Sequence, residues 1–140
     1  MLPIYCILFL LIITLHNLEE ALWLPKWSKN AGVFHHPMTA QTFYFAVLVI
    51  TITIYFFTGL FLFFPGNTVL MYIFFGIVTA MAGNVIFPHL IATIVLRRYA
   101  PGLITGVLLM LPFNILIVIY GFTTLQLSLL PFIISAILSV

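Results

Sequence analysis

Charged side chains are almost absent from this chain. Only 4% of its 140 residues are charged, whereas 65% are hydrophobic. A soluble domain carries about 25% charged residues, which form its hydrated surface. So few charges cannot cover a globule of this size, so most side chains must face lipid or other helices. The sequence therefore predicts an all-α membrane protein. Its charged residues are Glu19, Glu20, Lys26, Lys29, Arg97 and Arg98.

Breaks in the hydrophobic sequence divide the chain into five segments. A helix needs about 20 apolar residues to cross the hydrocarbon core of a bilayer. The connecting loops are too short to fold alone, so we predict a single integral membrane domain, residues 1–140, folded as a compact bundle of five transmembrane helices. The fifth is the shortest, and a hairpin that enters and leaves by one face is its alternative. The predicted helices are 4–24, 40–64, 68–96, 102–120 and 124–140.

The cations predict the orientation of these helices. All four lie after the first or the third predicted helix, and the loops after the second and fourth contain none. Cytoplasmic loops are enriched in Lys and Arg, so we predict the N-terminus outside the cell and the C-terminus in the cytoplasm. The net formal charge of +2 is too small and too dispersed to indicate a nucleic-acid partner. The bilayer itself is the expected partner.

The first predicted helix carries His16, Glu19 and Glu20 at i, i+3 and i+4, which share one face of a helix. Glu20 precedes Lys26 by roughly 9 Å of helix, at 1.5 Å per residue. This places the three side chains in the cytoplasmic half of the bilayer. The alternative is that the helix ends near Leu18, which would leave both carboxylates in water. Position alone does not separate the two interpretations.

The third predicted helix contains Asn84, Pro88 and His89. Helices one and three run in the same direction, so His89 reaches a depth similar to that of His16. Pro88 has no amide hydrogen to donate to the Asn84 carbonyl, which favours a kink. On a regular helix Asn84 and His89 point in different directions, so only a bent or unwound helix lets both face the first helix. Ionisable groups inside a membrane usually pair with one another, and we therefore predict a shared pocket.

Two motifs resemble a known family. The segment His-Asn-Leu-Glu-Glu at 16–20 resembles the signature of the HXXEE family, bacterial integral membrane proteins without an established activity. The segment Asn-Val-Ile-Phe-Pro-His at 84–89 is similar to that family's second motif, and residues 97–103 are also similar. The resemblance implies a multi-pass protein of the bacterial plasma membrane, and it implies no substrate. The positions that it marks are His16, Glu19, Glu20, Asn84 and His89.

The first functional hypothesis is a metal-dependent membrane enzyme, hydrolase-like in its chemistry. His16, Glu20 and His89 are suitable ligands for a divalent ion, zinc above all, and they leave a position open for water. Glu19 and Glu20 are the candidate catalytic residues, because the carboxylate that is not a ligand can act as general base on metal-bound water. The depth of the site suits a lipid-like or other small-molecule substrate.

Three further residues are candidates for a supporting role, namely Asn84, Tyr44 and Arg97. Tyr44 begins the second helix near the level of the pocket, although it is equally suited to an interfacial aromatic belt. Arg97 anchors the third helix, or alternatively neutralises a glutamate. The paired His35 and His36 could add ligands, but a simple loop feature explains them as well.

Two other classes of function remain open. Carboxylate and imidazole groups in one apolar pocket can exchange protons, as a small carrier or proton-coupled transport subunit requires. In a structural or accessory membrane protein, the same polar side chains would only hold helices together by hydrogen bonds. The sequence therefore leaves open whether the protein is an enzyme.

Overall fold

A computed structural model describes residues 1–34 and 36–139 of the chain. These residues form five main helices, a short 3₁₀ turn at Gly32–Phe34 and no strand, so the all-helical prediction is confirmed. Within the described residues, the first four helices are each long and apolar enough to cross a membrane. The helices are α1 (Leu2–Ser28), α2 (Ala40–Phe63), α3 (Thr68–Leu96), α4 (Leu103–Thr124) and α5 (Leu129–Leu138).

Two of these helices begin at side chains that cap them. Thr39 precedes α2, and its hydroxyl accepts a hydrogen bond from the Thr42 amide at 3.2 Å. Asn67 precedes α3, and its Oδ1 accepts from the Leu70 amide at 3.1 Å. Such caps satisfy amide groups of the first turn, which have no partner within the helix. The helix starts predicted at 40 and 68 therefore have a local chemical cause.

Two predicted helix ends differ from the structure. Helix α1 was expected to stop at 24, but it continues through Pro25 to Ser28. Both glutamates of α1 therefore lie well inside the helix. Helix α4 extends to Thr124, beyond the predicted end at 120.

The prediction of a fifth crossing needs correction. Helix α5 has 10 residues, which corresponds to about 15 Å of helix, whereas the hydrocarbon core is about 30 Å thick. The predicted segment was 124–140, of which Val140 lies outside the described residues. The described part of the chain thus supplies four candidate crossings, and a cytoplasmic C-terminus does not follow from them.

Helix α3 is interrupted where its proline predicts a kink. A regular part, Thr68–Asn84, is followed by a wide turn, Val85–Leu90, and a last short part, Ile91–Leu96. Phe87 has extended backbone angles, φ −128° and ψ 122°, and the peptide bond that follows it is cis. Because Phe87 is extended, residues after it are rotated relative to a continuous helix.

Aromatic side chains form the centre of the bundle. The ring of Phe74 on α3 stacks against Phe61 of α2 at 5.1 Å and meets Phe9 of α1 edge-on at 5.7 Å. All three are fully buried, and such ring geometries add about 0.5–1.5 kcal/mol each beyond the burial of area. This contact joins the first three helices.

Small and polar residues set the remaining helix contacts. Helix α5 approaches α3 so closely at Gly76 that a Cβ there would lie 2.6 Å from the Ser135 carbonyl oxygen. Small residues permit such close approaches between membrane helices. Next to His16, the Asn17 amide donates to the Thr51 hydroxyl of α2 at 2.7 Å. This bond helps to fix the rotation of α1 about its axis, and hence the direction in which His16 points.

Candidate metal centre

Three side chains meet in the interior between α1 and α3. The Glu20 Oε1 atom lies 2.8 Å from His89 Nε2 and 3.6 Å from His16 Nε2. One nitrogen or oxygen atom from each residue can be chosen so that all lie within 4.8 Å of one another. The exposed fractions are 1% for His16, 2% for His89 and 12% for the Glu20 side chain. We call these three residues the cluster.

Local structure explains how the cluster forms. His16 and Glu20 are four residues apart on α1, so their side chains project from one face. His89 comes from the interrupted part of α3, together with Asn84, whose Nδ2 atom is 3.2 Å from His89 Nε2. The interruption therefore brings Asn84 and His89 to one side of α3, although a regular helix would separate them.

Glu19 points away from the cluster and towards the start of α4. Its Oε1 accepts hydrogen bonds from the amides of Gly102 at 2.8 Å and Ile104 at 3.4 Å, and from the Tyr99 hydroxyl. Its Oε2 accepts from the Thr105 amide at 2.8 Å and the Thr105 hydroxyl at 2.6 Å. The first amides of a helix have no helical partner and carry partial positive charge. The side chain of Glu19, on α1, thus caps the N-terminus of α4.

The phenol of Tyr99 supports this cap from the α3–α4 loop. Its hydroxyl donates to the Glu19 carboxylate. Burial, together with this bond, raises the pKa of Tyr99 above its usual range. The phenol therefore remains a hydrogen-bond donor throughout the physiological pH range.

Thr105 connects the cap to the cluster and determines the tautomer of His16. Its hydroxyl has one hydrogen, which it donates to Glu19 Oε2 at 2.6 Å. The same oxygen lies 3.1 Å from His16 Nδ1, and it can only accept there, so Nδ1 must carry the hydrogen. In the neutral imidazole, Nε2 of His16 is then the nitrogen with a free lone pair. It is buried and has no hydrogen-bond partner among the described residues.

The donor atoms of the cluster suit a cation. The Nε2 of His16 faces a carboxylate oxygen of Glu20 at 3.6 Å, and in the neutral imidazole their lone pairs repel each other unless a proton or a metal ion lies between them. Two imidazoles and one carboxylate are a common ligand set for zinc and related ions. A metal-binding imidazole usually donates its other N–H to a neighbouring group, as His16 does to Thr105.

Comparison with known proteins confirms the family resemblance. A family model described as "Protein of unknown function with HXXEE motif" matches residues 7–117. The chain belongs to the HXXEE family. It is similar to "Uncharacterized protein YrkK" of Bacillus subtilis (strain 168), with 44% identity over 110 residues that cover 79% of this chain and 70% of the relative. No solved structure matches the chain.

The two glutamates of the HXXEE motif make different contacts. Glu20 contacts both histidines of the cluster. Glu19 was predicted to be catalytic, but both of its oxygens are engaged by the α3–α4 loop and the first turn of α4. A general base must reach the water that it deprotonates. Glu19 therefore contacts the start of α4 in this structure, and its predicted catalytic role stays a prediction that the Glu19→Gln variant tests.

Two predicted supporting residues lie apart from the cluster. Tyr44 is 51% exposed on α2, and within the described part of the chain it has no hydrogen bond to the cluster. Arg97 ends α3 in a left-handed conformation, φ 48°, and is exposed. No hydrogen bond or ion pair joins either residue to the cluster among the residues that the structure describes, and their supporting roles stay predictions. Of the paired loop histidines, His35 lies outside the described residues, and His36 is not a member of the cluster.

Sequence reasoning missed three residues that the HXXEE motif contacts, namely Tyr99, Gly102 and Thr105. The Pro-Gly pair at 101–102 indicated only the start of a helix. The one available signal was the family resemblance over 97–103, which contains Tyr99 and Gly102. Thr105 lies beyond that stretch, and its role depends on the packing of α4 against α1.

Gly102 provides a direct test of this packing. A Cβ at this position would lie 2.9 Å from Cε1 of both His16 and His89, and φ is +90°. Backbone strain of this kind costs about 1–3 kcal/mol in a residue other than glycine. We expect Gly102→Ala to lower thermal stability in detergent and to displace both imidazoles. The control is Gly59→Ala, where a Cβ meets nothing within 4 Å. Equal stability of the two variants would contradict this description.

Proposed function

We propose that this protein is a metal-dependent, hydrolase-like enzyme of the bacterial plasma membrane, built as a single integral membrane domain. His16, Glu20 and His89 would hold one divalent ion, with zinc as the best candidate. The observation that carries this proposal is the buried Nε2 of His16, which makes no hydrogen bond within the described residues and faces the Glu20 carboxylate at 3.6 Å.

A purely structural role for the cluster does not account for that nitrogen. Side chains that only join helices should satisfy their buried polar atoms, because an unsatisfied one costs about 1–3 kcal/mol. Here the opposite nitrogen of the same ring is hydrogen-bonded and held in place. The arrangement supports a site that is preorganised to receive a cation.

The number of ligands favours catalysis over a structural ion. Structural zinc sites usually have four protein ligands, whereas catalytic sites have three and leave one position for water. The cluster supplies three. A zinc ion held here would lower the pKa of its bound water towards neutrality and would so supply a nucleophile at neutral pH. Three ligands and one position open to water therefore favour a hydrolytic role.

A groove offers a path to the cluster from the lipid side. It has a volume of about 550 Å³ and lies between α2 and α3, where Asn84 and Phe87 are part of its lining. Since Asn84 also contacts His89, a molecule in this groove would approach the edge of the cluster. The rest of the lining is mainly apolar, which supports a lipid-like or similarly apolar substrate.

The residues of the site can be assigned separate tasks. Glu20 would hold the ion through Oε1, which faces both histidines, and its Oε2 would be the candidate acceptor for a proton from water. The Asn84 amide can donate a hydrogen bond to an oxygen of the substrate. Thr105 and Glu19 act through His16 and are positioning residues.

The cations support a cytoplasmic location for this end of the bundle. Lys26 lies in the last turn of α1 and Lys29 directly after the helix, while Arg97 and Arg98 follow α3. The rule that cytoplasmic loops are positively charged then places residue 1 outside and the cluster in the inner half of the bilayer. With four crossings, the end of α4 also lies outside.

The test of the proposed function has two steps. We expect protein purified without chelators to contain about one divalent ion per chain by elemental analysis, and the apo form to bind zinc tightly. The zinc-loaded protein is then incubated in vesicles of bacterial lipid extract, and hydrolysis products are identified by mass spectrometry, with Glu20→Gln as the control. Failure of apo protein to bind any divalent ion would overturn the metal site. If the protein bound an ion but formed no products from these lipids, lipid hydrolysis would be excluded as its activity.

Thr105 allows the positioning role to be tested without removing a ligand. Thr105→Val keeps the shape of the side chain but removes the hydroxyl that links Glu19 to His16. Loss of such an outer partner typically weakens metal binding by about 10- to 100-fold, and we expect that loss in a zinc titration. Thr105→Ser restores the hydroxyl and should restore affinity. If valine and serine variants bind zinc equally, the hydroxyl does not orient His16.

A further inference from the structure

A second and larger groove lies on the other side of Glu19, between α1 and the segment that joins α3 to α4. Its volume is about 830 Å³. One wall is formed by Leu15, Leu18 and Leu22, which share one face of α1, and Lys26 follows one turn later on the same face. The leucines extend over roughly 10 Å at 1.5 Å per residue. This wall is apolar along its length and cationic at the end near the membrane surface.

The rim of this groove combines cations with aromatic side chains. Arg98 lines it, and its guanidinium lies 6.0 Å from the centre of the Trp27 ring and donates to the Trp27 carbonyl at 3.5 Å. Trp23 also lines the groove and is 53% exposed. Tryptophan is enriched where a bilayer meets water. The rim therefore lies at the level of lipid headgroups.

No free anion within the described residues balances the two rim cations. Glu19 is the one acidic residue of the lining, and both of its oxygens already accept hydrogen bonds from the α3–α4 region. Glu20 faces the two histidines instead. Lys26 and Arg98 are thus available to an external negative charge.

We propose that this groove binds one anionic phospholipid of the inner leaflet. Its phosphodiester would lie between Lys26 and Arg98, and an acyl chain would run along the leucines of α1 towards the centre of the bilayer. An anionic lipid fits both the charged rim and the apolar wall, and a phosphatidylcholine would bring its own cation to the two basic residues. This site is separate from the metal cluster, and its existence does not depend on the proposed enzymatic function.

The tryptophans provide the measurement, because the chain contains two and both line the groove. The full-length protein is reconstituted in mixed phosphatidylglycerol and phosphatidylcholine vesicles. In one preparation the phosphatidylglycerol is brominated near the carboxyl end of its chains, and in the other the phosphatidylcholine is. Bromine quenches tryptophan fluorescence on contact. We expect quenching by brominated phosphatidylglycerol to exceed its share of the membrane.

Variants then test the two cations. Lys26→Ala with Arg98→Ala should abolish the preference for phosphatidylglycerol, so that quenching by each lipid falls to its share of the membrane. The matched control is Lys29→Ala with Arg97→Ala, which removes the same charge outside the lining. Equal quenching by both lipids in the wild type would overturn the proposal. So would an equal loss in the control variant, since that would indicate attraction by the general surface charge alone.

Discussion

Purified protein in which His16 or His89 is replaced by alanine is expected to hold no tightly bound divalent ion. Apparent binding free energies of structural zinc are roughly 10–16 kcal/mol over four ligands, so one ligand contributes on the order of 3 kcal/mol, or more than about 100-fold in affinity. The cluster has three protein ligands, so losing one leaves only two. Elemental analysis and a zinc titration in detergent measure the effect.

Two further variants make this result specific. His36→Ala removes a histidine of the α1–α2 loop that is not a member of the cluster, and it should keep its metal. Glu20→Gln should lose affinity while the protein remains folded, because the amide nearly preserves the shape of the carboxylate. If His36→Ala released the ion as completely as His89→Ala, the metal would be bound elsewhere and the proposed function would lose its basis.

Much of the fold could be predicted because the bilayer imposes a length on every crossing. Continuous apolar segments of about 20 residues identified α1 to α4, and the caps at Thr39 and Asn67 fixed two of the starts. The end of α1 was harder to predict, because Pro25 and Lys26 resemble a stop signal although the helix continues to Ser28. The close approach of α5 to Gly76 of α3 is a packing contact that no local pattern reveals.

The site was predictable where it depends on helix periodicity, and not where it depends on packing. The spacing of His16 and Glu20 places them on one face of α1, and Pro88 indicates the interruption that turns His89 and Asn84 inwards. Glu19 and Glu20 are adjacent, so they diverge by about 100° around a helix of 3.6 residues per turn. In this structure Glu20 contacts the two histidines, and Glu19 contacts the start of α4. Which of them faces α4 depends on where α4 packs.

Replacing Glu19 with glutamine is expected to damage the fold rather than remove a catalytic group. The carboxylate accepts hydrogen bonds from the amides of Gly102 and Thr105 and from two hydroxyls. The glutamine side chain offers one oxygen acceptor and one NH₂ group that only donates, so at least one donor of α4 would face another donor. Losing a hydrogen bond to a charged group costs about 1.5–3 kcal/mol, and an unsatisfied buried donor costs about 1–3 kcal/mol more. We expect the free energy of unfolding to fall by about 3 kcal/mol or more.

Glu20→Gln is the matched control for this variant, because the same chemical change is made one residue away. Glu20 has no hydrogen bond to α4 in the described structure, so its variant should unfold near the wild-type denaturant concentration in a mixed-detergent titration and should bind zinc more weakly. Glu19→Gln should unfold much earlier, and any zinc it still binds under folding conditions should be held through the same three ligands. The opposite pattern, a stable Glu19→Gln protein that cannot bind metal, would show that Glu19 acts at the metal site and not as a cap of α4. The two adjacent carboxylates of the motif thus have separable tasks, since one holds α4 against α1 and the other faces the histidines that this packing aligns.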